Sequence, residues 1–170
     1  MRLRPYKSYD ANVIENKEKM MIIKADEQHL SIVREITQKT INEIYPHYYP
    51  VGAVDFFKNH HNDDNILSDI QREIVYLLES HGDFVGTVTI RENEICRLFV
   101  LPKFQHKGYG RELIEYAENE ISKNYREIVL DASMSAKKIY KSRGYIETEY
   151  HQIITDNQDV LCYDVMKKEC

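Results

Sequence analysis

Two periodicities divide most of the chain between them. Apolar or alternating runs of strand length lie at Met20 to Lys24, Ile74 to Glu79, Phe84 to Arg91, Glu94 to Leu101, Glu127 to Ala132, Tyr145 to Thr155 and Val160 to Lys167. Helical spacing governs the stretches between some of them. Leu30, Val33, Thr37, Ile41 and Ile44 share one face after a capping residue at Asp26. Leu113, Ile114, Ala117 and Ile121 do the same after Gly110, with Glu112, Glu115 and Glu118 turned mostly elsewhere. Gly52 to His60 and Asp64 to Arg72 read as two shorter helices, and Ser135 to Arg143 as a third that Gly144 closes.

Turn residues connect the strands. His81-Gly82-Asp83 and Glu92-Asn93 make three consecutive antiparallel strands, and Asp156-Asn157 makes a closing hairpin. Strands interleaved with helices around a single sheet predict an α+β fold with a mixed, mostly antiparallel central sheet flanked by helices. At 170 residues the chain has room for one domain with a sizeable core. The pattern places that domain at residues 20–170. Residues 1–19 are polar and aperiodic, and read as an N-terminal appendage; the alternative, that Arg2 to Tyr6 is a true strand, stays open.

The most informative stretch begins with the Glu94 strand. Ile95, Leu98, Phe99, Val100 and Leu101 run up to Pro102, which cannot donate to a ladder. Gln105-His106-Lys107-Gly108-Tyr109-Gly110-Arg111 then opens the Leu113 helix. The first N–H groups of a helix have no intrahelical partner and lie at the positive end of its dipole. Gly108 and Gly110 let backbone approach a ligand closely, and His106, Lys107 and Arg111 add donors or charge. Such a turn suits a phosphate or pyrophosphate. It is not a P-loop, for no Gly-Lys-Ser/Thr occurs. A dinucleotide fingerprint would need a third glycine where Leu113 stands, although Asp131 lies about twenty residues on as that fingerprint asks.

Strand, proline, glutamine, glycines and helix come in the register of the acetyl-CoA-binding motif of the GNAT superfamily of N-acyltransferases, which this stretch resembles. A second stretch resembles the same superfamily: Leu130-Asp131-Ala132-Ser133, then Ala136, Tyr140 and Gly144-Tyr145. The resemblance covers roughly residues 20–168. It implies that acetyl-CoA is the co-substrate, with Leu98, Phe99, Val100, Gln105 to Arg111, Ser133 and Tyr140 around it. It also implies that Tyr140 faces the cofactor sulfur, where a phenol can protonate the departing thiolate. Many relatives carry asparagine at the position of Ser133 to hold the cofactor arm. An alkyl ammonium must lose its proton before it attacks a thioester, and Glu94, in a Glu-Ile pair shared with histone-type members, is the candidate base. A backbone N–H between Leu98 and Val100, on a strand splayed by a bulge in this superfamily, would serve the developing oxyanion.

Composition adds exclusions. Net charge is −5, with 23 Lys plus Arg against 28 Asp plus Glu, which argues against nonspecific nucleic-acid binding. No apolar run has the length of a membrane span, and no signal peptide precedes the first charges. Cys96, Cys162 and Cys170 are odd in number and widely spaced, as suits reduced thiols in a cytoplasmic protein. His60, His61, Asp63 and Asp64 do not make a metal site by their spacing, because adjacent ligands rarely converge on one ion; no metal is expected. Tyr45, His47, Tyr48 and Tyr49 either surround an amine by cation–π contact or fill core between helices. The expected function is transfer of acetyl from acetyl-CoA to a primary amine of unidentified structure, by direct attack in a ternary complex. The rival is a non-catalytic acyl-CoA-binding or sensing module. Monomer and homodimer both remain open.

Overall fold

A computed structural model describes residues 20–170, so the appendage expected at 1–19 and the alternative strand within it lie outside the described residues. The strands are β1 (Met20–Lys24), β2 (Val75–Ser80), β3 (Asp83–Arg91), β4 (Glu94–Val100), β5 (Glu127–Ala132), β6 (Ile146–Ile154) and β7 (Val160–Glu169). The helices are α1 (Leu30–Ile44), α2 (Val51–His60), α3 (Asp63–Gln71), α4 (Tyr109–Ser122) and α5 (Lys137–Ser142). The strands form one sheet in the order β1-β2-β3-β4-β5-β7-β6. Among the described strands only the β4–β5 pair is parallel.

Each face of the sheet buries its own apolar cluster. Against one face α4 packs Leu113, Ile114, Ala117 and Ile121 onto Val85, Val88, Ile128 and Leu130. Against the other, Val33, Ile36 and Ile41 of α1 meet Ala53, Ile66, Val75, Leu77 and Phe99. Each such large side chain contributes about 2 kcal/mol by leaving water. Gly86 on β3 lets α4 lie close, since a Cβ there would come within 2.8 Å of Leu113 Cδ1 and 2.9 Å of the Phe99 carbonyl.

Local chemistry starts the helices where the pattern places them. The Asp26 carboxylate accepts from the Gln28 amide at 2.9 Å, capping a 3-10 turn that runs into α1. Gly108, at φ +92°, takes the left-handed conformation before α4. One detail differs from the expectation. Helix α5 begins at Lys137 rather than Ser135, because Ser133 to Ala136 form a turn in which the Ser133 carbonyl accepts from both Ala136 and Lys137 at 3.0 Å. The closing hairpin is present as expected; its second strand, β7, lies inside against β5 and its first, β6, forms the edge.

What positions the site is the parting of β4 from β5. Their pairing comprises only Glu94↔Val129 and Ile95↔Leu130. On the other side β4 stays with β3, Ile90↔Ile95 being followed by Thr89↔Arg97, so Cys96 is the extra residue of a β-bulge. Beyond the bulge β4 and β5 diverge. The backbone groups of β4 that face β5 there have no ladder partner among the described residues.

Candidate active site

A cavity of about 860 Å³ fills the gap between the parted strands and reaches both faces of the sheet. One end holds the head of α4. Gln105, His106, Gly108, Gly110 and Arg111 line it, with Ala136, Ile139 and Tyr140 opposite. The Gln105 side chain donates to the Val100 carbonyl at 3.0 Å and so ties the loop to the end of β4. His106 takes φ +62° and Gly108 φ +92°, which turns the chain sharply. The first α4 bond runs from the Glu112 amide to the Gly108 carbonyl at 3.1 Å. Among the described residues the amides of His106 to Arg111 find no backbone acceptor. A Cβ on Gly108 would meet nothing nearer than an Arg111 nitrogen at 3.7 Å, so the space it would enter is open. A row of free amides at the positive end of a helix, flanked by Arg111 and His106, fits a pyrophosphate.

Not every residue of the loop faces the cavity. Lys107 lays its ammonium over the Phe104 ring at 5.3 Å, and the Tyr109 hydroxyl meets Ser80 Oγ at 3.0 Å. Neither side chain lines the cavity, so amides are what these two residues offer it. Leu98 and Val100 turn toward the α4 side, and Phe99 turns to the opposite cluster, 5.6 Å from the His61 ring. The Ser133 hydroxyl pairs with that of Ser135 at 3.0 Å, with both residues on the cavity wall.

Tyr140 is buried, edge-on to Tyr145 at 5.5 Å. Burial raises its pKa, with the Tyr45 phenol and Glu118 adding to the effect, so the hydroxyl stays protonated at neutral pH. Tyr45 and Tyr49 are also buried and pack with Phe57, the Tyr45 and Phe57 centroids 4.8 Å apart. The Tyr49 hydroxyl accepts from the Met134 amide at 2.7 Å and donates to the Cys162 carbonyl at 3.3 Å. Of these rings Tyr45 and Phe57 reach the cavity wall, while Tyr48 is exposed.

The other end of the cavity is polar and assembled from distant segments. Glu94 lines it, as do Cys96 and Arg97. Arg97 is buried in mid-strand, and each of its three guanidinium nitrogens has a partner. Nη2 meets Asp69 Oδ2 at 3.0 Å, Nη1 donates to Thr89 Oγ1 at 2.8 Å, and Nε donates to His61 Nδ1 at 3.3 Å. That last bond requires the ring proton on Nε2. Burial, then the Arg97 charge and His60, lowers the His61 pKa to about 2, so the ring is neutral. Burial pushes the Cys96 thiol up to about 12, with Glu94 adding to it. Asn65, Ser68, Asp69 and Arg72 show the cavity one face of α3, at the spacing of successive turns. Asp131 of β5 stands on the opposite wall with no ion-pair partner among the described residues, and desolvation raises its pKa.

Of the residues at this end, only Glu94 is found from the sequence as a candidate for the chemistry. Asp131 enters there against a dinucleotide fingerprint and as a letter of the second motif, without a role in the chemistry, and Arg97, Asp69, His61, Arg91 and Cys96 are passed over as parts of this site. One signal was available: a charge within the apolar run from Ile95 to Leu101 demands a buried partner. The His60–Asp64 stretch is dispersed, with His61 engaged by Arg97 and Asp63 paired to Arg34 at 2.8 Å. No three His, Cys, Asp or Glu side chains converge as metal ligands among the described residues. No helix among them is long and apolar enough to cross a membrane.

The sheet is mixed and parts between its two parallel strands, with a helix N-terminus at the head of the gap. Residues 44–157 match the family model described as an acetyltransferase (GNAT) domain, and the chain belongs to that family. Solved structures share the fold at low identity. A GCN5-related N-acetyltransferase of Rhodopseudomonas palustris superposes with a TM-score of 0.81 at 15% identity, over 89% of this chain and 96% of that one. The PaiA N-acetyltransferase of Thermoplasma acidophilum, in complex with coenzyme A, gives 0.71 at 19% identity over 89% and 99%. Arabidopsis thaliana Naa50, in complex with the bisubstrate analogue CoA-Ac-MVNAL, gives 0.62 at 24% identity over 88% and 98%. No curated protein matches the sequence.

Proposed function

We propose that the protein transfers acetyl from acetyl-CoA to a primary amine by direct attack in a ternary complex. The observation that carries the reading is that one cavity contains the free amides of α4, the buried phenol of Tyr140 and the carboxylate of Glu94. The coenzyme A in the PaiA structure and the CoA–peptide conjugate in that of Naa50 support a cavity of this kind serving both substrates.

Acetyl-CoA would supply an activated thioester. The residues of this chain would do the rest. Amides from His106 to Arg111, with the Arg111 charge, would hold the pyrophosphate, and the open edge of β4 would receive the amide-bearing arm. A β4 amide between Leu98 and Val100 would donate to the thioester carbonyl oxygen as negative charge develops there. Glu94 would take the first proton of the acceptor ammonium, directly or through water, and the amine would then form the C–N bond. As the C–S bond breaks, Tyr140 would give its proton to the sulfur and be restored, through solvent, by the second proton that the nitrogen loses. Among the described residues Cys96 is the one cysteine on the cavity wall, and a thiol pushed to about 12 stays protonated at neutral pH. That favours direct attack over an acyl-cysteine relay.

Thiol release from acetyl-CoA, measured over a panel of amines, tests the proposal. Acceptor-dependent release supports it. Tight CoA binding with no release for any amine would instead favour the rival, a non-catalytic acyl-CoA-binding module.

A further inference from the structure

The charged groups at the acceptor end are sorted by strand. Arg91 ends β3 and pairs across the strands with Glu94 at the start of β4; Asp131 lies on β5. Cross-strand partners project from the same face, and all three side chains line the cavity. The order across the sheet is therefore one cation followed by two carboxylates. Arg72, at the end of α3, extends the cationic side of the same wall.

These arginines have capacity left over. Arg97 and Arg91 share the single carboxylate of Asp69, and Arg97 holds it more closely, at 3.0 Å against 3.4 Å. The Arg91 Nε is buried and has no hydrogen-bond partner among the described residues. Its side chain as a whole is 43% exposed, so a ligand in the cavity can reach the outer part of the guanidinium, though not the buried Nε. Arg72 has no ion-pair partner among the described residues. A guanidinium with free N–H groups beside a cavity is suited to bidentate capture of a carboxylate or phosphate.

We propose that the acceptor amine carries an anionic group, bound by Arg91 and Arg72, while its amino group lies between Glu94 and Asp131. This rests on the acetyl transfer to amines proposed above. Adjacent strands are about 4.8 Å apart. The two charges of the acceptor should thus lie about 5–10 Å from each other, one to two strand spacings. An acidic amino acid or an amino-alkyl phosphate has that reach. A plain polycation would leave the Arg91 donors unmatched and set a like charge beside Arg72.

The test uses the full chain, acetyl-CoA and matched pairs of acceptors: glutamate against glutamine, aspartate against asparagine, and phosphoethanolamine against ethanolamine. The anionic member of at least one pair should have a kcat/KM at least about tenfold higher, as charge-assisted recognition by arginine requires. Arg91→Met should lower that ratio about tenfold or more through KM, and Arg91→Lys should restore it in part. Because Arg91 also touches Asp69, Arg72→Gln provides a second probe on an exposed residue, with a several-fold fall in the same ratio expected. Ratios of one or below in all pairs would overturn the proposal and leave Arg91 as a member of an ion network only. An unchanged ratio in both variants would overturn it equally. If no acceptor of either kind releases thiol while CoA binds, amine acetylation itself fails, and this inference with it.

Discussion

The two ends of the cavity are built in opposite ways. The cofactor end is almost wholly one contiguous piece of chain, from Leu98 on β4 through the Gly108 turn to Arg111 on α4, faced by the Ser133–Tyr140 segment. The acceptor end draws on α2, α3 and strands β3 to β7, and its buried ion pair joins residues 28 positions apart. A contiguous site can be specified by local conformational demands, such as a glycine where φ must be positive. A dispersed one depends on the tertiary fold, and its charges are held by one another. Substitutions at the first end should therefore change cofactor binding with little effect on stability, whereas those at the second should couple acceptor chemistry to folding.

The largest effect expected is at the amide row. Gly108→Asp places a carboxylate among donors that would face a pyrophosphate, and losing two hydrogen bonds to a charged group weakens CoA binding on the order of a thousandfold. Gly82→Asp is the matched control, since Gly82 has φ +85° and open space around it but lies in the β2–β3 turn away from the cavity. Calorimetry should show CoA binding lost in the first variant and kept in the second. Equal affinities in both would remove the pyrophosphate from α4. Next in size is Tyr140→Phe, which keeps the packed ring and removes the proton. Turnover should fall about a hundredfold with CoA affinity nearly unchanged. A fall below about threefold would show that another group protonates the sulfur.

At the acceptor end, Glu94→Gln should reduce the rate about tenfold or more near neutral pH and recover as alkaline pH deprotonates the amine unaided. A profile that is only scaled down would transfer the role of base, and Asp131→Asn is the variant to compare. The smallest effect is on stability. His61 has its pKa lowered in the folded protein, so the unfolded chain binds the extra proton. The stability this confers is present above about pH 6.5 and is lost as pH falls below it, at roughly 1 kcal/mol per pH unit. Denaturant melts from pH 7 to pH 5 should show that slope in the native chain and a shallower one in His61→Gln, whose amide oxygen can still accept from Arg97. Equal slopes would mean that the ring is protonated in the folded state.

Several strand and helix positions are read from the sequence because the element buries one face, and burial leaves a period. Val33, Ile36 and Ile41 on α1 and Ile128 and Leu130 on β5 are examples. By contrast, β3 is a continuous run buried from Val85 to Ile90. Strand order carries no such mark, and β6 and β7 have the same alternation wherever they sit in the sheet. The Cys96 bulge leaves no mark in the pattern either, since one extra residue in the run from Ile95 to Leu101 does not break it; a bulge is expected there only through the resemblance. At the site, the residues from Leu98 to Arg111 and Ser133 to Tyr140 are found through motifs whose spacing is local. Asp69 and His61 lie in or beside helices that look like any solvated surface until Arg97 is brought beneath them. The short start of α5 has a similar cause, for Ser133 and Ser135 bond to each other instead of capping a longer helix.

The parting of β4 from β5 has a mechanical consequence. Four strands lie on one side of the gap and three on the other, and only two residue pairs join them within the sheet. The two half-sheets meet at a short seam, with α4 as the brace that touches both. A ligand seated in the gap is then a clasp, and it adds to the stability of the whole chain in proportion to its occupancy. Hydrogen exchange would register this as slower opening of β5 and β7 together with β4 when CoA is added, although the chemistry occurs at a few atoms between them.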